Sequence, residues 1–198
     1  MARQNKNKKN SSNSMGQLRI IGGDFRGRKL PVLDAEGLRP TSDRVRETLF
    51  NWLQFDIPGA HCLDLFSGSG ALSFEAVSRG AKSATLLELN SANAKQLKVN
   101  LLQLKMEQAK VYEVDSLQWL NQKAEQPYDV VFIDPPFHKG MMQTSVNLLF
   151  ENGYVTEHTY LYLEQEKGLD WPALPEGWHL KKEKKTSQVQ FALVVKQA

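Results

Sequence analysis

A single cysteine among 198 residues removes several possibilities at once. Cys62 alone can build neither an internal disulfide framework nor a multi-cysteine zinc site. Histidines are also few, at four. His158 and His179 have no metal-ligand spacing around them, and no metal is expected. No apolar run approaches the roughly 20 residues needed to span a bilayer. The basic N-terminus, MARQNKNKKNSSNSMG, lacks the apolar stretch that follows the charges of a secretory signal. No internal repeat is visible. These absences predict a soluble, cytoplasmic protein with no membrane partner. Its length suits one domain with a small appendage.

Charge is present but unevenly spread. Residues 1–46 carry eleven Lys/Arg against four acids, a balance of +7, and the remaining 152 carry 14 against 18, or −4. One basic end on a mildly acidic body suits contact with phosphates. For residues 1–15, a solubilising arm is an equally good reading. That Asn/Lys/Ser-rich tail has almost nothing to bury and is expected to be disordered.

Two strand-like pieces follow, at 17–23 and 28–32, and their Gly-containing turn predicts a hairpin presenting Arg19, Arg26, Arg28 and Lys29. After DAEGLRP, Thr41 or Ser42 can cap a helix reaching about Phe55. Val45, Leu49, Trp52 and Leu53 form its apolar stripe, with Arg44 and Arg46 off it. Pro58 and Gly59 close this N-terminal extension, residues 16–58.

From 59 to 198 strands alternate with helices. Strands are expected at 61–66, 83–89, 110–114, 128–134 and 158–166, and helices from the SGSG loop to about Arg79, then at 91–104, 116–124 and about 140–151. That alternation predicts a mostly parallel α/β sheet with helices on both faces. Two further strands, 178–185 and 188–195, are too close together for a crossover helix and must pair antiparallel.

Three strand ends carry candidate chemistry. Asp64-Leu65-Phe66-Ser67-Gly68-Ser69-Gly70 closes the first strand and opens a helix, where glycines permit a sharp turn and close approach of a ligand. Glu88 ends the second strand, 18 positions after Gly70, where it can accept hydrogen bonds from a ribose diol. The loop lacks the third glycine of G-x-G-x-x-G, and Asp64 would repel a pyrophosphate but receive an ammonium. An amino-acid-bearing nucleoside therefore suits it better than a dinucleotide. Asp115, ending the third strand, can accept from an adenine amine.

The fourth strand ends in Asp134-Pro135-Pro136-Phe137. Two prolines fix the backbone and remove two amide donors. An amine on an aromatic base is a poor nucleophile because its lone pair is delocalised. A carboxylate and a main-chain carbonyl can hold its two hydrogens, turning the lone pair toward an incoming methyl and stabilising the charge that develops on nitrogen. Phe137 offers a face for stacking. His138, next in the chain, is a candidate for substrate contact. Cys62 reads as a small buried hydrophobe, and Trp171, Pro172 and Pro175 as a packed connection.

Together DLFSGSGAL, Glu88, Asp115 and DPPF resemble the class I (Rossmann-like) methyltransferases. With RIIGGDFRGRKLPV and GLRPTSDRVRETLFNWL, the chain resembles, over about residues 17–195, the bacterial RsmD family, which methylates N2 of guanine 966 in 16S ribosomal RNA. The resemblance implies a seven-stranded sheet with an N-terminal hairpin. It implies S-adenosyl-L-methionine as cofactor and S-adenosyl-L-homocysteine as product, with 16S rRNA in the 30S subunit or a late assembly intermediate as partner. A monomer is expected. By the same resemblance Asp134 and the Pro135 carbonyl orient the amine and Phe137 stacks. Asp64, Phe66, Gly68, Gly70, Glu88, Asp115 and Ser116 hold the cofactor, and Arg39, Arg44 and Arg46 join the hairpin bases in gripping RNA. The residues themselves specify only an amine, so a DNA adenine-N6 or cytosine-N4 methyltransferase and a non-catalytic RNA-binding assembly factor stay open.

Overall fold

The computed structural model describes residues 15–33 and 42–197. Residues 1–14 of the basic tail, the DAEGLRP loop, Thr41 and Arg39 lie outside them.

Met15–Arg19 (β1) and Lys29–Leu33 (β2) form an antiparallel hairpin, with Leu18 opposite Leu30. Two strands alone are at best marginally stable in water. Here Leu18, Ile20, Leu30 and Val32 are buried in the same apolar cluster as the main domain. Each such burial contributes about 1.5–3 kcal/mol as an upper estimate, which outweighs anything the short ladder supplies. The extension is therefore held on by a shared core.

Asp43–Trp52 (α1) starts where expected, with the Ser42 hydroxyl accepting the Val45 amide at 3.3 Å. It ends three residues before Phe55. A turn at Leu53 lets Ile57 enter the core and leaves Phe55 exposed.

The main sheet contains His61–Asp64 (β3), Ser83–Glu88 (β4), Ala109–Glu113 (β5), Val130–Ile133 (β6), Tyr160–Glu166 (β7), Trp178–Lys185 (β8) and Val189–Lys196 (β9). Ala71–Ser78 (α2), Ser91–Leu104 (α3), Ser116–Leu120 (α4) and Met142–Glu151 (α5) connect them. Helix α5 begins later than expected because Gly140 has φ 62°, outside the helical region. Helix α4 stops at Leu120, short of the expected 124.

The strand order is β5-β4-β3-β6-β7-β9-β8, giving the expected seven strands. β3 to β7 run parallel, and β9 runs antiparallel between β7 and the edge strand β8. Side chains alternate between two cores. Cys62, Leu86, Phe132 and Tyr162 face the hairpin and α1, whereas Leu63, Leu87, Val131 and Leu163 face the other side, toward α4 and α5. Chain order reverses at the β3–β6 pair, where open α/β sheets bind ligands beyond the carboxyl ends of their strands.

Candidate active site at the carboxyl ends of the strands

Asp64 and Glu88 end their strands, Asp134 directly follows β6, and Asp115 lies two residues past the end of β5 as the cap of α4, so the four sit beyond four adjacent parallel strands. Asp64 is the last residue of β3 and lies level with Phe132 on β6, two residues before Asp134. Glu88 is the last residue of β4. Residues 64, 88 and 134 share the parity of the face toward the hairpin, because a strand alternates its side chains. The four acids were legible in the sequence as strand-end residues, and the sheet order brings them along one rim.

Asp64 is buried and accepts a 2.7 Å hydrogen bond from the Ser73 hydroxyl of α2. Burial pushes its carboxyl up to about 7, against the opposing hydrogen bond from Ser73 and assisted by the neighbouring Glu88 charge. Beyond Asp64 the chain leaves the sheet. The Gly70 amide donates to the Ser67 carbonyl at 2.6 Å, with Gly68 at φ 51° and Gly70 at φ 78°. A Cβ on Gly70 would lie 2.4 Å from Phe74 and 2.6 Å from Leu97, so the turn and the packing both require glycine.

Glu88 braces this loop. One oxygen accepts the Gly68 amide at 2.8 Å and the other the Asn90 amide at 2.7 Å. Burial raises its pKa and these hydrogen bonds oppose the rise. A carboxylate has about four acceptor sites, so capacity for a diol is left. Asp115 caps α4 through a 3.0 Å bond from the Gln118 amide, and the buried Ser116 hydroxyl donates to the Leu65 carbonyl. Both residues therefore fix the site's wall through their own backbone contacts. Phe66 is half-buried against the α4–α5 core. Three carboxylates at three strand ends suit a ligand bringing an ammonium, hydroxyls and an amine, and would repel a pyrophosphate.

Past the end of β6, Pro135 is buried, Pro136 is exposed and Phe137 is half-buried against the core. His138 holds φ 62°, and its amide donates to Glu166 of β7 at 2.5 Å. Its imidazole Nδ1 lies 3.4 Å from the same carboxylate, tying the exit of the loop to the next strand.

Arg19, Arg26, Arg28, Lys29 and Arg44 are exposed, as a phosphate-facing role requires. Arg46 is not. It is 1% exposed, and its Nη2 donates to the Arg19 carbonyl at 2.9 Å and to Asp43 at 2.6 Å. Its guanidinium also lies 3.8 Å from Glu75. The assignment of Arg46 to RNA is corrected on this ground, since its charge is spent inside the protein.

Glu75 was missed. It is fully buried on α2, accepting the Ile21 amide at 2.9 Å, the Gly22 amide at 2.8 Å and Arg79 Nε at 2.7 Å. It thus clamps the hairpin to the sheet domain. The only available signal was one charge within the otherwise uncharged helix ALSFEAVS. Ser73, Tyr162, Glu164 and Glu166 were missed too, because their roles depend on neighbours distant in sequence.

Known proteins resemble this chain in sequence and fold. The family model described as Conserved hypothetical protein 95 matches residues 18–195. Ribosomal RNA small subunit methyltransferase D of Escherichia coli is 48% identical over 191 residues, 96% of each chain. The Haemophilus influenzae protein of that name is 52% identical over 185 residues, 91% of this chain and 95% of the other. The solved structure of Escherichia coli yhhF is 47% identical, covers 92% of this chain and 99% of its own, and superposes with a TM-score of 0.85. At this identity over nearly the full length, the chain belongs to the ribosomal RNA small subunit methyltransferase D family.

Proposed function

We propose that this chain transfers a methyl group from S-adenosyl-L-methionine to the exocyclic N2 amine of a guanine in 16S rRNA, at position 966 by resemblance. The substrate is the 30S subunit or a late assembly intermediate, met by a monomer in the cytoplasm. Family membership supports the reaction class, and one observation carries the mechanism: Asp64 and Asp134 sit at the ends of neighbouring parallel strands where chain order reverses.

The cofactor supplies a sulfonium methyl, already an activated electrophile. Asp64 would receive its ammonium, Glu88 its ribose hydroxyls and Asp115 its adenine amine, while the Gly68–Gly70 backbone would permit close approach. One Asp134 oxygen and the Pro135 carbonyl each accept a hydrogen from the guanine amine. With the donor bound, this would turn the nitrogen lone pair toward the methyl and stabilise the positive charge that develops on nitrogen. The S–CH3 bond would break, S-adenosyl-L-homocysteine would leave, and the methylated amine would give up one proton to solvent. Prolines 135 and 136 have no N–H to compete for those acceptors. Phe137 stacks on the base. Residues 16–58 act as the RNA-gripping extension through Arg19, Arg26, Arg28, Lys29 and Arg44.

The test is Asp134→Ala with 30S subunits and tritiated cofactor. Loss of this group should lower turnover about 100-fold or more while cofactor affinity survives. Normal turnover would remove the catalytic assignment. Label entering duplex DNA but not 30S subunits would favour the DNA reading, and mass mapping of rRNA tests the guanine.

A further inference from the structure

We propose that edge strand β8 carries a second RNA-phosphate contact, made by Lys182 and Lys184 with support from Lys181, on the same sheet face as Asp134. This rests on the RNA substrate proposed above and adds a surface outside the N-terminal extension.

The face follows from register. Lys182 lies opposite Leu193 of β9, which lies opposite Tyr162 of β7, level with Phe132 of β6. Lys184 lies opposite Phe191, which lies opposite Glu164. Ile133 is level with Leu163, so Asp134 comes level with Glu164. Directly opposed residues share a face. Asp134, Glu164, Phe191 and Lys184 therefore form one row across four strands, which at about 4.8 Å per strand puts Lys184 about 14 Å from Asp134. That spacing is a few nucleotides of extended backbone, suited to flanking phosphates when one base is held at Asp134.

Charge is sorted by face along β8. Lys181, Lys182, Lys184 and Lys185 are all exposed, and none forms an ion pair among the described residues. Glu183 points to the opposite face, where the Trp171 indole N–H donates to its carboxylate at 3.2 Å. Lys185, opposite Gln190, belongs to that other face as well. A register shift between Leu180 and Lys182 brings Lys181 to the face of Lys182. The Lys181 ammonium lies 5.4 Å from the Tyr160 ring and that of Lys182 5.9 Å from the Trp52 ring of α1. Exposed contacts of this kind are weaker than a charge-assisted bond to a phosphate, so they do not hold an ammonium against one. Lysine on an edge strand also discourages strand addition. That role is served by charge on either face, and it does not account for removal of the single acid from the face that looks toward the active site. Lys182 borders α1 at Trp52, and Arg44 on the same helix is exposed.

The experiment measures binding to 30S subunits across a salt series for the full chain, Lys182→Gln/Lys184→Gln, Lys182→Arg/Lys184→Arg and Lys185→Gln. Losing two phosphate contacts lowers the slope of log K against log salt by about 1.5. Weaker binding should raise KM and leave kcat and cofactor affinity unchanged. The arginine pair should keep the wild-type slope, and Lys185→Gln should not alter it. A wild-type slope in the glutamine pair, or an equal loss in the arginine pair, overturns the proposal. Failure of the unmodified chain to bind or methylate 30S subunits would instead overturn the RNA substrate itself.

Discussion

The Tyr162 hydroxyl donates a 2.5 Å hydrogen bond to the carboxylate of Glu164, two residues along β7 on the same face, and both side chains are buried. Burial raises the Glu164 carboxyl from 4.5 to about 7, opposed by that hydrogen bond. Between those values the folded protein keeps a proton that the unfolded chain gives up. The stabilising contribution is therefore complete below about pH 4.5 and is lost as pH rises through about 7. Glu164→Gln should flatten the fall in melting temperature between pH 5 and pH 8. Tyr162→Phe should cost about 1–3 kcal/mol at pH 8, where the ionised carboxylate loses its donor. A Glu164→Gln profile parallel to wild type would refute the assignment.

Asp64 titrates in the same direction, from 3.8 to about 7, and its ionised form is the one that can pair with an ammonium. At pH 6 only about a tenth of such carboxyls are ionised. Calorimetry should therefore show S-adenosyl-L-methionine binding about tenfold more weakly at pH 6 than at pH 8. Asp64→Asn should bind weakly at both and lose most of the slope. Some slope remains because Glu88 is shifted the same way. Equal affinity of the wild type at the two pH values would argue against an ammonium at Asp64.

The alternating strands and helices were legible because each strand is a short apolar run bounded by turn residues, and the acids at their ends came with them. The position of β9 was not. Two adjacent strands with a short turn must pair, but nothing local says which of them also touches β7. Glu75 was illegible for a related reason. Its burial depends on the amides of Ile21 and Gly22, 54 and 53 residues away. Arg46 was misread because arginine is mostly exposed, a default that gave way here to a buried acid on α2.

Gly70 offers a comparison with Gly80. Both have positive φ, 78° and 94°, so alanine at either incurs about 1–2 kcal/mol of left-handed strain. At Gly80 the new carbon would meet only Pro58 at 3.7 Å, an ordinary contact, whereas at Gly70 it would strike Phe74 and Leu97. Overpacking adds about 1–3 kcal/mol. Chemical denaturation should thus show Gly70→Ala clearly less stable than Gly80→Ala, and cofactor affinity should fall only in the former. Equal midpoints would mean that the loop can shift away from α2 and α3.

Arg44 and Arg46 are two residues apart on α1 and should fail in different ways. Arg44 is exposed, so Arg44→Glu should leave the melting temperature nearly unchanged and weaken 30S binding, more at low salt than at high. Arg46 is buried against Asp43, the Arg19 carbonyl and Glu75. Removing one partner from such a cluster strands the remaining buried charge and typically costs about 3–5 kcal/mol. Part of that cost is relieved here because Arg79 still reaches Glu75 at 2.7 Å. Arg46→Met, matched roughly in length, should therefore lower stability by about 2–4 kcal/mol. It should also expose the hairpin amides of Ile21 and Gly22 to faster hydrogen exchange, as the clamp on Glu75 loosens. A stable Arg46→Met protein that binds RNA poorly would return Arg46 to the RNA-facing set and would contradict the burial seen here.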